Sequence, residues 1–74
     1  MDITTIGRLI AASIGIKRQG VYRTEYGSIA YVDGPSSREG WDLENGGTVP
    51  IVLMTDEWVR EARTGDYPVN RAGW

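Results

Sequence analysis

The sequence predicts an α+β fold. One small domain would hold a four-stranded antiparallel sheet built from two hairpins, with an N-terminal helix and a C-terminal helix packed on one face. Three stretches lead there. Ile3, Ile6, Ile10 and Ile14 recur at helical spacing. Two pairs of β-prone runs flank short glycine-containing turns. Between them and the tail, residues 48–63 read as a strand running straight into a capped helix.

Taken in order, the first element is an amphipathic helix over about 4–15. Asp2, Thr4 or Thr5 would cap its start and Gly15 would end it in the left-handed region. A polar connector, 17–20, leads to a hairpin with strands at about 21–25 and 28–33. If its turn at Tyr26-Gly27 has two residues, Tyr22 faces Tyr31 and Thr24 faces Ile29, while Val21, Arg23, Ala30 and Val32 share the other face. Both faces are then mixed, and a slip of one residue exchanges them. The run Asp33-Gly34-Pro35-Ser36-Ser37-Arg38-Glu39-Gly40 is turn-forming and polar. Loops of that length in compact domains are functional or simply mobile.

The second hairpin is expected at about 41–44 and 48–54. A glycine-bulged loop over Asn45-Gly46-Gly47 would set Leu43 against Val49 and Trp41 against Ile51. With Leu53 these form one apolar face, to be buried against Ile6, Ile10 and Trp58. Asp42 and Glu44 then lie on the opposite, solvated face. Thr55 would cap a helix over about 56–64, with Asp56 and Glu57 at its positive end, Asp56 paired to Arg60 one turn on, and Gly65 closing it. Trp58, Val59 and Ala62 would face inward. Residues 70–74 form a tail.

The totals bound the chemistry more firmly than the fold. At 74 residues the chain is one domain, whose core supplies about 3–5 kcal/mol of net stability. It contains neither cysteine nor histidine, which removes disulfides and any thiolate or imidazole metal site. The net charge is −2, from ten acidic and eight basic residues. That is too balanced for a nucleic-acid footprint. Opening at Met1 and closing at Trp74, the chain reads as a whole gene product, with neither a signal peptide nor a run long enough to span a membrane. A cytoplasmic location, as a monomer or small homo-oligomer, is expected.

No catalytic constellation emerges. Ser13, Ser28, Ser36 and Ser37 have no imidazole partner, and Lys17 is the only lysine. Neither phosphate-loop pattern is present, and no calcium-loop spacing occurs. No catalytic residue, cofactor or metal is therefore assigned. The expected function is non-enzymatic binding to another protein, in its sharpest form a phage or mobile-element inhibitor of a host defence complex, similar in kind to an anti-CRISPR. Arginine, tryptophan and tyrosine, the types enriched at interface hot spots, are plentiful here. The candidate partner-binding residues are Glu25 and Tyr26 at the first hairpin tip, Arg38 and Glu39 in the long loop, and Arg60 and Arg63 on the second helix. The alternative is a nucleic-acid-binding accessory protein, with Tyr22, Tyr26 and Tyr31 stacking bases beside Lys17, Arg18 and Arg23.

Overall fold

A computed structural model describes residues 15–67. Among them the chain forms a single antiparallel sheet and no α-helix. The strands are β1 (Gly20–Thr24), β2 (Ile29–Val32), β3 (Glu39–Asp42), β4 (Thr48–Pro50) and β5 (Met54–Arg60), with a single 3-10 turn, Ile51–Leu53, between β4 and β5. In place of the expected α+β arrangement, with a four-stranded sheet and a C-terminal helix, the described residues form five strands and no α-helix, in the order β4-β3-β2-β1-β5. The helix expected at 4–15 and the tail at 70–74 lie outside the described residues, apart from Gly15. That glycine does hold a left-handed φ of 88°.

The order of the strands dictates the shape. β4 and β5 are the two edges, and in a flat sheet the outer strands would lie ~19 Å apart at ~4.8 Å per strand. Only the 3-10 turn Ile51–Leu53 joins them, and it spans ~6 Å at ~2 Å per residue. The sheet must therefore roll up, bringing its inner face onto itself as an open barrel. A close approach across the interior agrees. A Cβ on Gly40 of β3 would lie 3.2 Å from the Met54 sulfur of β5, a strand that is not its neighbour in the sheet. The core so enclosed is Ile16, Tyr22, Ala30, Val32, Val49, Ile51 and Met54, with Leu53 and Trp58 packed against it.

The expected C-terminal helix is the largest correction. Residues 54–60 are a strand paired to β1. The would-be helix cap, Thr55, instead donates its hydroxyl to the Arg23 carbonyl at 2.8 Å. Local signals favoured a helix, but Thr55, Trp58 and Val59 are equally at home in a strand. β1 without a second neighbour would leave a buried row of N–H and C=O groups unpaired, which is costly. Pairing wins over the cap. The pairing shifts register between Val21 and Tyr22 and again between Tyr22 and Thr24, so β5 bends around β1. Gly65, expected to end the helix, does take a left-handed φ of 100°, but in a turn where the Asp66 N–H donates to the Arg63 carbonyl at 3.0 Å.

Both hairpin registers also differ from expectation. The first loop has Gly27 at φ 89°, with Thr24 N–H donating to the Ser28 carbonyl at 2.9 Å and Gly27 N–H to the Thr24 carbonyl at 3.0 Å. This loop of Glu25, Tyr26 and Gly27 is one residue longer than the two-residue turn. It therefore pairs Val21 with Tyr31, Tyr22 with Ala30 and Arg23 with Ile29, and Tyr22, Ala30 and Val32 turn inward together. In the second hairpin Gly40 faces Val49 and Trp41 faces Thr48. Trp41, Leu43, Ile51 and Leu53 accordingly do not make one sheet face. Trp41 lies on the outer face and Ile51 in the core, on the 3-10 turn that cuts the expected 48–54 strand after Pro50.

Candidate functional site

The β3–β4 turn and the β1–β2 tip share one polar knot. Asp42, expected to be solvated beside Glu44, is only 5% exposed. Its carboxylate accepts the Glu44 and Asn45 backbone N–H groups, both at 2.8 Å, and the Ser28 hydroxyl at 2.9 Å. The Asn45 side-chain amide adds a longer contact at 3.4 Å. Burial alone would raise the Asp42 carboxyl, but the bonds from Asn45, Glu44 and Ser28 outweigh it and hold the group below its ordinary value. Ser28 gives its single proton to Asp42, so the 2.8 Å contact between Thr24 Oγ1 and Ser28 Oγ has Thr24 as donor. Thr24 Oγ1 in turn accepts the Tyr26 N–H at 3.2 Å. A continuous chain of hydrogen bonds thus runs from the Tyr26 backbone through Thr24 and Ser28 to Asp42.

The same tip is fastened from outside. The Arg23 guanidinium donates to the Gly27 carbonyl at 3.0 Å and to Glu57 of β5 at 3.1 Å. The Glu25 N–H donates to the Leu53 carbonyl at 2.8 Å, and the Ile51 N–H donates to the Arg38 carbonyl at 3.0 Å. The 3-10 turn is therefore bonded at one end to the β1–β2 tip and at the other to the end of the long loop. Sequence separation hid this meeting of three segments, because nothing local in 51–53 signals which loops it will join.

On this framework stand the two large apolar side chains that are most exposed among the described residues, Tyr26 at 73% and Val52 at 61%. Each is one residue away from the Glu25–Leu53 bond. Of the residues expected to bind a partner, Glu25, Tyr26 and Arg38 are exposed and Glu39 is half-buried on β3. Arg60 and Arg63 belong to a different place. Arg60 ends β5 and grips Asp66 with two bonds, 2.7 and 2.9 Å long, in place of the expected pair with Asp56. The Arg60 guanidinium holds the Asp66 carboxyl below its ordinary value, and Asp66 in turn raises Arg60. Arg63 is exposed beside that turn and gives its backbone N–H to Asp66 at 2.7 Å. Val52 was not among the expected residues. It sits in an apolar run that reads as buried strand, and only the 3-10 turn brings it out.

The aromatic platform expected for bases does not form. Tyr22 and Tyr31 are 3% and 2% exposed, with hydroxyls donating to the Arg18 carbonyl and to Asp33 at 2.8 and 2.7 Å. Burial raises both phenols, and for Tyr31, with Asp33 adding to it, the value is pushed up to about 12. Trp58 packs edge-on with Tyr22, centroids 5.5 Å apart, and carries the Arg18 guanidinium 3.7 Å above its ring. Of the expected stacking residues, Tyr26 alone is exposed.

Among the described residues no group of three or more acidic, histidine or cysteine side chains is placed to hold a metal ion. No helix among them is long and apolar enough to cross a membrane. No protein-family model matches the chain, and no curated protein or solved structure matches it.

Proposed function

We propose that this protein works by binding another protein, with the β1–β2 tip as its anchor. One observation carries the reading: Tyr26 projects into solvent from a backbone fastened on every side. A tyrosine held out from a flexible tip would lose much of its contact energy to ordering on binding. Here that cost is met during folding, through the Thr24, Arg23 and Leu53 bonds, so the side chain is pre-organised. Tyrosine is also among the residue types that dominate interface energetics. Val52 supplies apolar surface close by, and Glu25 and Arg38 supply charges that would steer encounter. The narrower form of the proposal is inhibition of a host defence complex by a mobile-element protein. It is supported by the surplus of arginine, tryptophan and tyrosine, the residue types enriched at interface hot spots.

The test compares wild type with Tyr26→Ala and Arg38→Ala as baits against host lysate, with captured proteins read by mass spectrometry and the affinity of any capture measured afterwards. Tyr26→Ala should melt like wild type, since an exposed side chain away from packing is worth within about 0.5 kcal/mol. It should weaken capture by more than ~1 kcal/mol, about fivefold or more. A partner held with unchanged affinity by both variants refutes the tip as the site. Arg63 and the 60–66 turn would then be the next surface to probe.

A further inference from the structure

The sequence contains one Asn-Gly step, Asn45-Gly46, and the fold sets it at the exposed end of the β3–β4 hairpin. Asparagine followed by glycine is prone to cyclise, because glycine has no side chain to shield its backbone nitrogen. The Gly46 nitrogen attacks the Asn45 side-chain carbonyl carbon and forms the new C–N bond of a succinimide. The amide C–N bond breaks, and ammonia leaves with the proton that Gly46 gives up. Water then opens the ring at either carbonyl, yielding aspartate or isoaspartate, with no change of oxidation state. Two features of the fold permit this. Asn45 and Gly46 are exposed, and the position a Cβ would take on Gly46 has nothing within 4 Å. A third restrains it. The Gly46 N–H is engaged by the Asp42 carbonyl at 3.1 Å, and the Asn45 N–H and side-chain amide are both drawn to the Asp42 carboxylate. The nucleophile and the electrophile are thus held by the same residue.

We propose that Asn45 is a self-modification site whose conversion to aspartate and isoaspartate is gated by local opening of the Asp42 turn, not by unfolding of the whole domain. Ser28 sets the gate, because its hydroxyl fills the inner side of the Asp42 carboxylate. Conversion would place a second carboxylate where the Asn45 amide now meets Asp42, replacing attraction by repulsion, and the isoaspartate product would lengthen the turn backbone by one carbon. The modified turn would not reclose as before, so the change is a one-way step.

The test follows the mass gain of amide-to-acid conversion in the tryptic peptide between Arg38 and Arg60, using the whole chain at mildly alkaline pH. The chain in full denaturant sets the upper rate. Folded wild type should convert measurably but more slowly. Ser28→Ala should convert about tenfold faster, the factor that matches ~1.4 kcal/mol lost from the closed turn. Ile16→Val, which weakens the core without removing any hydrogen bond to Asp42, should leave the rate unchanged. A second arm does not need Ser28→Ala to fold. In wild type, urea well below the unfolding midpoint should barely alter the rate, since a local opening exposes little surface. Conversion that rises in step with the unfolded fraction, or that Ile16→Val speeds as much as Ser28→Ala, overturns the gate. Absence of conversion in the folded chain after the denatured chain has gone to completion overturns the site.

Discussion

Gly20→Ala tests how β5 is held on β1. A Cβ at Gly20 would sit 2.0 Å from Trp58 Cζ3, 2.6 Å from Cη2 and 3.0 Å from Cε3. Ordinary carbon contacts are ~3.5–4.0 Å, so the indole must retreat by ~1.5 Å or more. The backbone itself is no obstacle, because Gly20 is not among the glycines with positive φ, and alanine in a strand gains roughly 0.5–1 kcal/mol over glycine there. Against that gain stands overpacking, about 1–3 kcal/mol. A displaced ring also loosens its edge contact with Tyr22, about 0.5–1.5 kcal/mol, and its contact with Arg18, about 0.5–1 kcal/mol. The net expectation is a loss of ~2–4 kcal/mol, which consumes most of the stability of a domain this size. Urea unfolding followed by far-ultraviolet circular dichroism reads it, without relying on Trp58 as the probe. The sharper measurement is the cycle with Trp58→Ala. Once the ring is gone the new methyl has nothing to strike, so the double variant should be more stable than additivity allows by about 1–3 kcal/mol. Strict additivity, or an unchanged midpoint in Gly20→Ala, would refute the claim that this glycine exists to admit the indole.

Further expectations concern charge. Asp42 and Asp66 both have carboxyl values lowered by folding, so their stabilisation is complete above the unfolded value near ~3.9 and is lost as pH falls through their folded values. The acid limb should therefore lie below about pH 4, and Asp42→Asn should flatten it; an unflattened limb in a folded variant would exclude Asp42 as a source. Tyr31 runs the other way. Its value is raised from 10.0 to about 12, so its contribution is intact below pH 10.0 and disappears as pH climbs through that window, and Tyr31→Phe should show a smaller drop in urea midpoint between neutral and strongly alkaline solution. Arg60→Ala should cost ~1–3 kcal/mol, because it strands the largely buried Asp66 carboxylate, whereas Arg63→Ala should leave the melting temperature nearly unchanged. Equal melting temperatures for those two variants would show that the Asp66 turn does not depend on its ion pair.

Residue order alone revealed a good deal of this molecule. The β-prone runs around Val21–Thr24, Ile29–Val32 and Thr48–Pro50 are strands, and glycine marks both hairpin turns. Zero cysteine and zero histidine exclude thiolate and imidazole chemistry whatever the fold. Tyr26 at a turn reads as exposed because a tip has no interior to receive it, and it is exposed. What the tertiary structure decided are the features for which local chemistry offers two nearly equal answers. Thr55-Asp56-Glu57-Trp58 caps a helix well in isolation, but the open side of β1 needed a partner, and satisfying a row of buried backbone groups outweighs one cap. The hairpin register turned on a loop of three residues against one of two, a difference that sends every side chain of the strand to the other face. Asp42 reads as a solvated strand residue until β2 brings Ser28, fourteen positions away, against its carboxylate, and a buried charge becomes tolerable only with those partners in place. Val52 is apolar and reads as core, yet it faces solvent because two sheet edges must be joined across the rolled barrel by three residues, and a turn that tight cannot point all of its side chains inward.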